Sequence, residues 1–128
     1  ADIRANVRKD AEVAVIPSVA RPTGGCWYEG SDLAAFADNA GIIEACFYEP
    51  AAERVKADLF DIRRRTKGKG TLRGILRPSH PDISNKGEFL EAVSALRAGG
   101  VEELAFYNWG HLRRANLAWI GDALRGSA

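Results

Sequence analysis

The chain has 128 residues, 46% hydrophobic and 27% charged, a size and mix that fit one globular domain spanning 1–128. Its 18 basic and 17 acidic side chains nearly cancel to a net charge of +1, which argues against a partner held by charge alone, whether nucleic acid or an anionic membrane. No apolar run approaches the ~18 residues of a membrane span and no signal-peptide pattern opens the chain, so a cytoplasmic setting is the default expectation.

Asp2 can cap a short helix over residues 3–7, with Arg8 and Lys9 suited to its negative end. Residues 12–18 (Glu-Val-Ala-Val-Ile-Pro-Ser) read as a first strand, rich in β-branched side chains and stopped at or soon after Pro17. The connection over residues 21–30 is the longest in the chain. It carries Cys26 and the aromatics Trp27 and Tyr28, which favour a ligand surface over a linker. Ser31 is expected to cap the next helix, with Leu33, Phe36, Ala37 and Ala40 on one face and Gly41 as its stop.

Residues 42–48 form the second predicted strand, ending in Tyr48-Glu49-Pro50. Val55, Leu59 and Ile62 then recur at spacings of four and three, the apolar stripe of a helix that ends in the Lys67-Gly68-Lys69-Gly70 turn. The basic run Arg63-Arg64-Arg65 falls at that helix's carboxyl end. Cations suit the dipole there, so the run reads as a helix terminus and not as a nucleic-acid patch. The third strand covers 71–77 and enters a loop, Pro78-Ser79-His80-Pro81-Asp82, that two prolines should hold extended.

A helix over 86–98 follows, with Phe89, Leu90, Val93 and Leu96 inward and Gly99-Gly100 closing it. The fourth strand spans 101–107 and leads into Asn108-Trp109-Gly110-His111. A last helix presents Leu117, Ile120 and Leu124 on one side.

The strand-like runs begin near Val13, Ile42, Leu72 and Val101, a period of about 30 residues that matches one strand, loop and helix. Four βα units therefore fit the chain, and strands that alternate with helices of this length pair in parallel. Parity along the strands separates two faces. Ile43, Ala45, Phe47, Leu72, Gly74, Leu76, Leu104 and Phe106 should meet the helices; Glu44, Cys46, Tyr48, Arg73, Ile75, Arg77, Glu103, Ala105 and Tyr107 should point the other way. This places Glu12, Glu44, Arg73 and Glu103 near one level, with Arg73 between two carboxylates.

This α/β pattern resembles the TIM barrel, and more narrowly its second half, since eight such units fill roughly 250 residues in that fold. A barrel lumen accommodates a layer of paired charges better than a face covered by apolar helices does. The alternative is a flavodoxin-like open sheet, whose five strands and near-continuous apolar runs match less closely. The chain has no methionine, even at position 1, and opens on a helix where a strand would begin a unit. Both features suggest a piece of a longer translation product, to be completed by a missing N-terminal half or by a second copy in a homodimer.

In either architecture ligands bind beyond the carboxyl ends of the strands. The residues delivered there are Ser18, Arg21, Cys26, Trp27, Tyr48, Glu49, Arg77, Ser79, His80, Asp82, Tyr107, Asn108, Trp109 and His111. The rim of aromatics and carboxylates resembles that of glycoside-hydrolase barrels. The resemblance implies acid/base hydrolysis of a carbohydrate or similar polar small molecule, with Glu49 as acid or base and Asp82 (or Glu29) as the second carboxylate. Trp27, Tyr48, Tyr107 and Trp109 would stack on the substrate, while Arg77, His80 and Asn108 position it.

Three other readings stand beside it. Glu49 could instead cap the following helix or pair with Arg77. Glu49, His80 and His111 could ligate a metal from adjacent strand ends, although no tight His-x-x-x-His spacing supports that. Arg77 and Arg21, with the start of the helix after Ser31, could hold a carboxylate or phosphate. A half-barrel without activity of its own is the non-enzymatic alternative. Two cysteines, one in a strand and one in a Gly-rich loop, give no disulfide framework, and no nucleotide-loop, zinc-finger or calcium-loop pattern occurs, so no cofactor is expected.

Overall fold

A computed structural model describes residues 2–17 and 31–126. The elements in order are α1 (Asp2–Asn6), β1 (Val13–Val15), α2 (Leu33–Asn39), β2 (Gly41–Cys46), α3 (Ala52–Thr66), β3 (Thr71–Leu76), α4 (Lys86–Ala98), β4 (Glu103–Phe106), a 3-10 turn (Trp109–His111) and α5 (Arg114–Arg125). The four strands pair in parallel in the order β1-β2-β3-β4, so each βα unit lies beside the one before it. A flavodoxin-like sheet runs 2-1-3-4-5 and reverses after its first crossover; this sheet does not reverse.

The helices line up as the strands do, α2 against α3, α3 against α4 and α4 against α5. Their apolar stripes meet one face of the sheet. Ala45, Phe47, Leu76, Val55, Leu59, Ile62, Phe89, Val93 and Leu96 are buried there, with Leu72, Leu104 and Phe106 packed at the margin. Phe89 meets Phe106 edge-on, ring centroids 5.9 Å apart. Gly74 sits where a Cβ would come within 3.1 Å of Leu96 Cδ1, so β3 approaches α4 closely at a point with no room for a side chain.

Local chemistry sets the boundaries. α2 is capped by Asp32, whose carboxylate accepts from the amides of Ala34 and Ala35; the cap therefore falls one residue after the expected Ser31. α3 ends at Lys67 in the left-handed conformation (φ 54°), and its basic end is occupied locally. Arg64 and Arg65 pair with Asp61, and Arg63 donates to the Gly100 carbonyl. α4 starts at Asn85, which accepts from the Glu88 amide while Glu88 accepts from the Ser84 amide.

Several boundaries differ from expectation. Val101 is buried but belongs to the stop of α4, because its amide donates to the Leu96 carbonyl, so β4 begins at Glu103. The inward stripe of α5 runs through Asn116, Trp119, Ile120 and Ala123, and Leu124 is half exposed, so the helix is turned from the expected Leu117-Ile120-Leu124 face. Asn116 is held inward because its side-chain oxygen accepts from the Arg113 amide one turn back. At the opposite end of the sheet, Arg4 of α1 bonds the carbonyls of Asn39 and Ala40, closing the α2–β2 turn where Gly41 has a φ of 94°. No helix is long and apolar enough to cross a membrane among the described residues.

Candidate functional site

On the sheet face away from the helices, Arg73 bridges two neighbouring strands' carboxylates. It bonds Glu44 of β2 and, at 2.6–2.8 Å, Glu103 of β4. The strand register puts these three residues side by side, and the interleaved charge follows from the parity of the strands. Glu12 does not share their level. β1 pairs Val13 with Gly41 and Val15 with Ile43, so the position beside Glu44 belongs to Ile16, which is exposed.

One turn of the strands further on, the same parity delivers Tyr48, Arg77 and Tyr107 to the carboxyl ends. The Arg77 guanidinium lies over the Tyr48 ring, 4.7 Å from its centroid, and the Tyr48 and Tyr107 rings stand 6.2 Å apart. Arg77 also forms an ion pair with Asp82 of the following loop through Nε. That bond, the largest influence on Arg77, raises its pKa further and fixes it as a cation. Burial, with the Cys46 side chain next in effect, pushes the Tyr48 phenol well above its ordinary value. Tyr48 is therefore a neutral hydrogen-bond donor and not a base.

The β3–α4 loop is turned, not extended as its prolines suggested. The amides of Asp82 and Ile83 both donate to the Ser79 carbonyl, which brings Asp82 back onto Arg77. The His80–Pro81 and Tyr107–Asn108 peptide bonds are cis. Glu49 is 9% exposed, and the described cation beside it is Arg54 of α3, with Nε 3.8 Å from Oε2. Arg77 pairs with Asp82 through Nε, and the expected Glu49–Arg77 pair is not formed. Nor does Glu49 cap α3, whose N-cap residue is Ala51 without a side-chain bond.

Asn108 uses its side-chain oxygen to cap the 3-10 turn, accepting from the His111 amide, and Trp109 on that turn is 78% exposed. His80 and His111 come together with Arg77 around a cleft of about 420 Å³ between the β3–α4 loop and the start of α5. Glu49 is not part of that lining, and no group of three His, Cys, Asp or Glu side chains is placed to hold a metal among the described residues. The expected set of Glu49, His80 and His111 is thus not assembled as metal ligands. Ser18, Arg21, Cys26, Trp27 and Glu29 lie outside the described residues.

Arg113 and Trp119 are among the lining residues that the sequence did not single out. Trp119 had a signal: it sits three residues after Asn116 and four before Ala123, on the face of α5 that turns inward. Arg113 had none, because a basic residue before a helix is unremarkable in sequence. Comparison with protein-family models, with curated proteins and with solved structures finds no match to this chain.

Proposed function

We propose that this chain supplies the C-terminal half of a TIM-barrel-type enzyme, whose rim acts on a carbohydrate or similar polar small molecule by acid/base hydrolysis. The observation that carries the reading is the convergence of Tyr48, Arg77 and Tyr107 at the carboxyl ends of adjoining parallel strands, on the face away from the helices. Aromatic edges beside a fixed guanidinium suit a ligand that has both apolar ring faces and hydroxyl groups.

In this reading Glu49 is the general acid or base. It lies just past the end of β2, directly after Tyr48, and is nearly excluded from water. Asp82, paired with Arg77, is the second carboxylate and stabilises positive charge that develops on the substrate. Tyr48 donates a hydrogen bond, and Tyr107 offers its ring face. The paired charges of Glu44, Arg73 and Glu103 fill the level beneath them as a lumen layer would.

The test uses a preparation active on a glycoside, reconstituted with any complementing half. Glu49→Gln is expected to lower kcat by about a hundredfold or more with KM little changed, the usual scale for removing a general acid or base. Full activity in that variant overturns the acid/base role.

A second reading has its own observation. Among the described strands, β1 and β4 each have one neighbour only, which leaves two sheet edges and a charged face for another chain to complete. A half-barrel of this kind associates with a second copy or a missing half, and sedimentation is expected to find a dimer. A stable monomer would favour an open-sheet domain.

A further inference from the structure

The cleft between the β3–α4 loop and α5 has a lining that an acid/base role for Glu49 does not use. Its fixed charges are both cationic, on Arg77 and Arg113, and it includes no carboxylate. Arg77, Ser79 and His80 come from the loop side, and His111 and Arg113 from the α5 side, with Trp119 as the apolar wall. Among the described residues, no carboxylate pairs with Arg113, and neither imidazole takes part in a hydrogen bond or ion pair. Arg77 gives Nε to Asp82, which leaves its terminal N–H groups for another acceptor.

Two carboxylates are bonded to the lining from outside it. Asp82 is taken up by Arg77, and Glu88 accepts from the Ser84 amide at 2.8 Å. Neither lines the cleft, so the cavity itself presents two guanidinium groups, two imidazoles, two hydroxyls and the Asn116 amide, with no carboxylate.

We propose that this cleft binds a compact oxyanion, a carboxylate, phosphate or sulfate, carried by the substrate. Arg113 and Arg77 are the cationic donors, His80, His111 and Ser79 add hydrogen bonds, and Trp119 backs the apolar part of the molecule. Two guanidinium groups without a lining carboxylate leave an excess of positive charge that a neutral sugar does not offset; an oxyanion offsets it and accepts from both. At about 420 Å³ the cleft is on the scale of small-molecule sites, so a bare inorganic anion would underfill it and an acidic sugar would not. The oxyanion site stands on the cleft's own lining; only its assignment to a sugar rests on the proposed function.

The experiment titrates the 128-residue chain with inorganic phosphate, inorganic sulfate and glucuronate at constant ionic strength, with glucose as the neutral control, by calorimetry and tryptophan fluorescence. Saturable binding of at least one anion and none of glucose is expected. Arg113→Gln should weaken it by about tenfold, the loss of one charge-assisted contact. Arg114→Gln, whose residue is adjacent in sequence but outside the lining, should leave it unchanged.

Tighter binding of glucuronate points to a carboxylate-bearing sugar, and tighter binding of phosphate or sulfate to an ester; either supports the site. His111→Gln is the second variant and should also weaken binding. Absence of saturable binding by all three anions overturns the proposal, and so does an equal loss in Arg113→Gln and Arg114→Gln. Glu49→Gln should bind the same anions as wild type, so a failure of the acid/base role leaves this result standing.

Discussion

The two faces of the sheet use opposite means to fill space. Toward the helices, Phe47, Leu76 and Phe89 are wholly buried, and the contact is apolar from β2 to β4. Toward the other side, the same strands present Glu44, Arg73, Glu103, Tyr48 and Arg77, tied to one another by ion pairs and ring contacts. Burial of apolar area stabilises in proportion to what is buried, whereas partly exposed ion pairs contribute little and mainly fix geometry. The helix face therefore holds the fold, and the open face holds a constellation of charges in place.

That contrast predicts a ranking of substitutions. Phe89→Ala on the helix face removes a fully buried ring and its edge contact with Phe106, and should cost about 3–5 kcal/mol in urea unfolding. Arg73→Gln on the open face should shift the urea midpoint far less. Its removal leaves Glu44 and Glu103 without the cation between them, so the deficit against wild type should shrink as salt is added. If Arg73→Gln costs as much as Phe89→Ala and salt has no effect, the open face is a second core and the contrast fails.

The division into faces was legible because it needs only parity. A strand has a side-chain period of two, so once Ile43, Ala45 and Phe47 were assigned to the helices, Glu44 and Tyr48 had to point away, and the parallel register did the same for Arg73 and Arg77. Periodicity also placed α4 at its observed limits, Lys86 and Ala98.

What parity does not contain is the stagger between strands. Glu12 has the right residue type, but β1 is displaced along β2, and Ile16 takes the place beside Glu44. Loops and caps carry their own logic as well. The turn that brings Asp82 to Arg77 depends on the Ser79 carbonyl, and the rotation of α5 depends on one hydrogen bond from Arg113 to Asn116. The cleft lining needs both at once, which is why Arg113 and Trp119 were not found from spacing.

The smallest predicted effect lies at the rim of the helix layer, where a charge joins α4 to α5. Lys86 and Arg125 both bond Asp122, at 2.7 and 2.6 Å, and these contacts, Lys86 foremost, hold its carboxyl below the ordinary 3.8. A carboxyl whose folded pKa is depressed adds stability that is present above the unfolded value and lost as pH falls through the folded one. Asp38, held down in the same way by Lys69, follows the same sign. Stability should therefore be flat with respect to this group at neutral pH and decline as the solution is taken below 3.8. Asp122→Asn removes that share of the decline: its deficit against wild type should be present at pH 7 and close as acid protonates the wild-type side chain. A deficit that widens in acid would mean that the Asp122 contacts stabilise through packing of the neutral group, and that the helix layer owes nothing to charge at this position.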